Sequence, residues 1–201
     1  MNTSIELRGQ EIVVPYTICF VKCCSEILVV KRNKPPHQGK FNGLGGKIEK
    51  SDLSIRESVQ REVCEETGGK IMLPDDSLIY TGVVSWKYFS EDKDIKTGGM
   101  HAYVAEIARK PFRQKTIGEG VLLWKQSTFL NDPNQINTVA DNIHAFLPHL
   151  LEVFVGTQTP REYLCDYTLG RGFDGVEVKP GGFSGLEIFG LDLPKHIKES
   201  V

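Results

Sequence analysis

Residues 13–21 alternate β-branched, aromatic and aliphatic side chains, which predicts a strand, with Pro15 near its start. Cys23, Cys24 and Ser25 read as a turn, and residues 26–31 (EILVVK) as a second short strand, so the two suggest a hairpin. Residues 33–46 form a loop carrying Pro35, Pro36, Gly39, Gly43, Gly45 and Gly46. Such glycine density marks backbone that approaches something closely or adopts dihedrals costly to other residues. Residues 54–57 (SIRE) fit a capping box, in which serine and glutamate satisfy each other's orphan amides. The helix it opens runs to about Thr67, where Gly68 and Gly69 supply the stop. Residues 79–89 and 101–107 read as strands around a polar hairpin loop at 90–99, and residues 121–125 as another strand. Residues 143–154 read as a second helix, broken or kinked at Pro148. Strands before and after helices, in mixed order, indicate an α/β chain, an α+β sandwich.

From Gly156 the character changes, with eight glycines between short apolar pairs. This tail reads as loops with short strands and no core of its own. The organisation is therefore a domain at 1–155 and a glycine-rich extension at 156–201 packing on that same domain. The extension is open to service as a lid, a dimer surface or an added strand, so a homodimer is among the expected assemblies.

At 201 residues the chain can bury most of its apolar surface in one core without a disulfide or structural metal. A net charge of −2 gives no bulk attraction to nucleic acid or an anionic membrane, so DNA binding and membrane association are not expected. No apolar run approaches a membrane span. The N-terminal segment lacks the apolar core of a signal peptide. Five cysteines, an odd number without C-x-x-C spacing, favour free thiols in a reducing cytoplasm.

The candidate chemistry lies at 61–68, R-E-V-C-E-E-T-G. On a helical projection with Ile55 at zero, Val59 and Val63 fall at about +40° and +80° and define an apolar stripe. Glu62 and Glu66 fall at about −20° and +20°, and Glu65 at about −80°. Two glutamates thus sit at the stripe's edge, while Arg56, Glu57, Gln60 and Cys64 occupy the solvent side. Like charges at these spacings cost roughly 0.2–0.5 kcal/mol per pair even when exposed, and partial burial costs more. Lysine or arginine could compensate them. Three convergent carboxylates also suit a hard dication, Mg²⁺ or Mn²⁺, and a glycine loop before a helix suits phosphate. A solvated acidic face is the plain alternative.

These residues resemble the Nudix hydrolase box, G-x5-E-x7-R-E-U-x-E-E-x-G-U, where U is bulky aliphatic. Gly46 begins it and residues 61–68 close it, covering about an eighth of the chain. The flanking run ILVVKRNKPPHQGKFNGLGGKIE resembles the MutT-type, 8-oxo-dGTP diphosphatase-like branch. There are two departures. One extra residue separates Gly46 from Arg61, which makes Asp52 the first box acid and leaves its role in doubt, and Gly69 replaces the last aliphatic residue.

The resemblance implies a Nudix fold, a mixed sheet packed between helices. It also implies hydrolysis of a nucleoside triphosphate, with an oxidised purine such as 8-oxo-dGTP one option, to monophosphate and pyrophosphate. Pyrophosphatase action on a nucleotide sugar, dinucleotide or capped RNA is the alternative, and a non-catalytic Nudix-like sensing domain another. Glu62, Glu65 and Glu66 match the glutamates that bind the metal and orient or deprotonate water, and the Gly45 carbonyl matches a backbone metal ligand. Arg61 matches the arginine that orients them, with Glu65 one geometric partner. Glu119 is the best-placed further acid, with a turn carboxylate the equal alternative.

For substrate contacts, Asn42 matches a purine-edge asparagine, against a left-handed turn residue. Asp141 and Asn142 roughly match a second base-contact segment, against a helix N-cap. Arg32, Lys47 and Gly46 are placed to meet phosphate or ribose. Phe41, Trp86 and Phe89 could stack on a base but fit core positions better, and His37 and His101 have no ligand-spacing partner.

Overall fold

The computed structural model describes residues 4–7, 10–132, 134–140, 142–168 and 176–180. The elements, in chain order, begin with β1 (Ser4–Leu7), β2 (Gln10–Val13), β3 (Tyr16–Cys23), β4 (Glu26–Arg32) and β5 (Phe41–Asn42). Helix α1 (Ile55–Thr67) separates these from β6 (Leu78–Phe89), β7 (Ile95–Glu106), β8 (Gln114–Ile117) and β9 (Gly120–Gln126). Helix α2 (Ile143–Phe154), β10 (Arg161–Tyr167) and β11 (Val176–Pro180) follow.

Nine strands form one mixed sheet in the order β11-β10-β6-β7-β3-β4-β9-β8, with β5 added on β4. The β3–β7 and β10–β6 pairs are parallel and the others antiparallel. β1 and β2 pair as a separate hairpin. Alternation along β3 divides the core into two layers. Cys19 and Val21 pack with Ile55, Val59 and Val63 of α1, whereas Ile18 and Phe20 pack with Phe146, Leu147 and Leu150 of α2. The sheet thus lies between the two helices, an α+β sandwich.

Both ends of α1 are fixed by their own sequence. Ser54 Oγ accepts from the Glu57 N–H at 3.0 Å, while Glu57 Oε2 accepts from the Leu53 N–H at 2.6 Å, one residue further out than a reciprocal box requires. Gly68, at φ 59°, closes the helix in a left-handed cap.

One local split in the sheet positions the site. β3 pairs with β4 through Val21, Lys22 and Cys23 and then parts from it. The glycine loop fills the wedge: Cys19 exchanges hydrogen bonds with Leu44, and the Thr17 N–H donates to the Gly46 carbonyl at 2.9 Å.

Several sequence expectations shift here. The strand expected at 13–21 is interrupted at Val14 and Pro15 between β2 and β3, since proline offers no N–H to a ladder. The expected loop at 90–99 shrinks, because β7 already begins at Ile95. Its first residues, IKTGG, have no apolar alternation and are ordered by pairing with β6. The short polar-edged β8 and the β1–β2 hairpin are further strands beyond those the sequence pattern predicts. α2 passes through Pro148 without a break. The presumed solvent side of α1 is partly covered: Arg56 donates to the Asp75 and Leu78 carbonyls, and Gln60 to the Leu73 carbonyl. In the tail, β10 lies against β6, with Tyr163 and Cys165 fully buried.

Candidate active site

The loop and helix meet at two glycines. Gly45 has φ 137°, and a Cβ there would stand 2.3 Å from the Thr17 carbonyl oxygen. A Cβ on Gly46 would stand 2.6 Å from both Glu62 carboxylate oxygens. Gly45 admits no side chain, because its φ and the Thr17 backbone forbid one, and a side chain on Gly46 would push the Glu62 carboxylate aside, so the loop backbone lies directly against the acidic face of α1.

Arg61 organises the outer part of that face. Its Nε and one terminal nitrogen grip buried Asp52 in a fork at 2.9 and 3.0 Å. Its other terminal nitrogen donates to Glu62 at 3.0 Å and Glu65 at 3.2 Å, and the Lys47 carbonyl accepts from Arg61 at 3.1 Å. Hydrogen bonding to Arg61 holds the Asp52 carboxyl below its ordinary range. Asp52 is therefore the principal partner of Arg61, a role the sequence left open. The trio 62, 65 and 66 does not converge as expected. Glu65 is 62% exposed beside Arg61, because its position lies off the buried stripe. Among the described residues no three His, Cys, Asp and Glu side chains stand together as a ready metal cluster.

Glu66 is different. It faces inward, where its Oε2 accepts from the Gly45 N–H at 3.1 Å. Burial pushes its carboxyl up to about 8, and the negative charges of Glu119 and Glu62 add to the shift against the pull of Gly45 and Arg32. Burial also raises Glu62, opposed by Arg61. Glu119, in the turn between β8 and β9, pairs with Arg32 at 2.9 Å. Arg32 is thus committed to Glu119 and to the Pro36 carbonyl. The local donor set is hard carboxylate oxygen beside a backbone turn, and among the described residues Glu66 accepts there from a backbone N–H and not from a cationic side chain. That set fits a divalent cation such as Mg²⁺.

The remaining candidates scatter. Asn42 lies in β5, opposite Val30, and not in a left-handed turn; its Oδ1 accepts from the Gly43 N–H at 2.9 Å. Lys47 is exposed beside the loop. Asn142 stands at the N-cap of α2, but its side chain does not cap; it donates to Cys165 Sγ at 3.7 Å. Asp141 lies outside the described residues. Phe41 is core, edge-on to Phe129, and Trp86 is half-buried against the α2 layer, whereas Phe89 is exposed. His37 lies in the loop after β4, and His101 is fully buried in β7.

A NUDIX domain model matches residues 15–134, well over half of the chain. The chain belongs to the Nudix family. It is accordingly a Nudix hydrolase, a pyrophosphohydrolase of nucleotide-like substrates. Enzymes of this family generally use divalent metals such as Mg²⁺. Among solved structures, the chain is similar to the mutator MutT protein from Bacillus halodurans, with 22% identity and a TM-score of 0.59, over 83% of this chain and 97% of that one. It is also similar to the NUDIX domain of Shewanella oneidensis NrtR, solved with ADP ribose, with 15% identity and a TM-score of 0.54, over 75% and 93%. NrtR with a 27mer DNA gives 16% and 0.54, over 74% of this chain and 64% of that one. At these identities the likeness is one of fold. No helix among the described residues of this Nudix chain is long and apolar enough to cross a membrane.

Proposed function

We propose that this Nudix hydrolase cleaves a nucleoside triphosphate to monophosphate and pyrophosphate in a reaction that requires Mg²⁺ or Mn²⁺. The observation that carries the reading is Glu66: an inward carboxyl pushed up to about 8, facing Glu62 and Glu119, with Arg61 engaged elsewhere. Such crowding is relieved by a dication.

Glu62, Glu66 and the Gly45 carbonyl would hold the ion, with Glu119 reaching it from the β8–β9 turn and Glu65 at the outer rim. The bound ion supplies charge neutralisation on the phosphoryl oxygens and a water of lowered pKa. The chain's own residues do the rest. Asp52 holds the Arg61 fork, and Arg61 sets the rotamers of Glu62 and Glu65. Glu66 or Glu62 takes the proton from the attacking water. Lys47 is exposed for phosphate, Arg32 would join it once Glu119 turns from it to the ion, and Asn42 keeps its Nδ2 amide for a purine edge while Oδ1 is bound to Gly43. An oxidised purine such as 8-oxo-dGTP falls within this substrate class. Asp141 is retained as a base-contact candidate on sequence alone, and Asn142 as one whose amide meets Cys165.

The test is a panel of nucleoside triphosphates, 8-oxo-dGTP, nucleotide sugars, ADP-ribose and capped RNA, assayed with Mg²⁺ and Mn²⁺. Pyrophosphate release from a triphosphate is expected. Turnover confined to sugar, dinucleotide or cap substrates would replace this substrate class, and binding without any turnover would indicate a sensing domain.

A further inference from the structure

Three deeply buried side-chain atoms have no hydrogen-bond partner among the described residues: Thr17 Oγ1, His101 Nε2 and Tyr103 OH. Thr17 is 4% exposed, and His101 and Tyr103 are fully buried. All three project from the same face of the sheet. Thr17 and His101 are register partners in the parallel β3–β7 ladder, as are Cys19 and Tyr103. Register partners share a face, and a two-residue step returns to it. Cys19 and Tyr103 pack in the layer beneath α1, so Thr17 and His101 point there too.

Dry polar atoms at such a place are costly, and internal waters characteristically bridge about three of them. His101 is a neutral ring, pushed down to about 3 by burial, with the Tyr80 hydroxyl 3.3 Å from its Nδ1. Thr17 has a second role through its backbone. Its N–H donates to the Gly46 carbonyl, and its own carbonyl is the atom that a side chain on Gly45 would strike. Thr17 is therefore the shelf on which the Gly45–Gly46 turn rests.

We propose that Thr17 and His101 are positioning residues, joined by one internal water, that fix this shelf and so aim the Gly45 carbonyl at a divalent cation. The inference rests on the metal-bearing reading above. Thr17→Val keeps the side-chain shape and removes Oγ1, and Thr17→Ser restores the hydroxyl. Mn²⁺ binding is measured by calorimetry with a non-hydrolysable nucleotide present. Wild type and Thr17→Ser are expected to bind alike, within about twofold, and Thr17→Val about tenfold more weakly. Equal affinity in Thr17→Val overturns the positioning role while leaving the metal reading standing. Failure of wild type to bind sinks the metal reading, and this inference with it. Independently of any variant, nitrogen-15 spectra of wild-type His101 should show exchange between its ring and a long-lived water. Absence of that signal overturns the bridge even if Thr17→Val fails to fold.

Discussion

Asp52 and Glu66 are both carboxylates packed at α1, yet their surroundings drive their acidities apart. Asp52 is gripped by the Arg61 fork, whose hydrogen bonds hold its carboxyl below the ordinary range. Glu66, little more than one turn further along α1 than Arg61, has one backbone N–H, other carboxylates and a buried setting, and rises to about 8. The difference shows how one guanidinium divides an acidic helix. The outer half is neutralised by the protein itself, while the inner half has no guanidinium of its own, and Glu66 there keeps a proton that a bound cation would displace.

The largest way to break this comparison is Glu66→Gln. About a 10³-fold loss of turnover is expected with the fold retained, checked by steady-state rates beside circular dichroism. The same residue governs stability in metal-free protein. Its folded pKa stands above the ordinary 4.5, so the native state holds the extra proton. Stability should therefore fall as pH rises from about 4.5 to about 8 and then level. Calorimetric melting across that range, with and without Mg²⁺, should show the decline only in the metal-free series. Glu66→Gln should flatten it. Asp52 contributes with opposite sign: its stabilisation is present above its ordinary value and is lost on acidification. Asp52→Asn frees Arg61 and should lower kcat by roughly 10- to 100-fold, with metal affinity reduced in parallel titrations. Glu65→Gln, at an exposed rim position, should lose less than about tenfold in the same assay. Smallest, Asn42→Ala should raise KM for a purine substrate by about threefold with kcat unchanged. No effect on any purine would remove the base-reading role.

Much of this was legible in the residues. α1 announced itself through Ser54, Glu57 and the two glycines after Thr67, because caps are local chemistry. The inward lean of Glu62 and Glu66 followed from helical spacing alone. The pairing of Asp52 with Arg61 did not, since it depends on how the loop before the helix folds back. Edge and terminal strands were lost for a similar reason. Residues 96–99 (KTGG) and β8 (QKTI) carry little apolar signal and become strands through the neighbour they pair with. The committed state of Arg32, spent on Glu119, likewise needed two turns brought together.

β10 joins β6 in parallel, and about seventy residues of chain lie between them. During synthesis, β6 therefore leaves the ribosome with one flank bare, and it stays bare until the segment carrying Tyr163 and Cys165 emerges. An expression fragment trimmed to the matched residues 15–134 would leave that flank permanently unguarded, and sticky, intermolecular strand pairing is its natural fate.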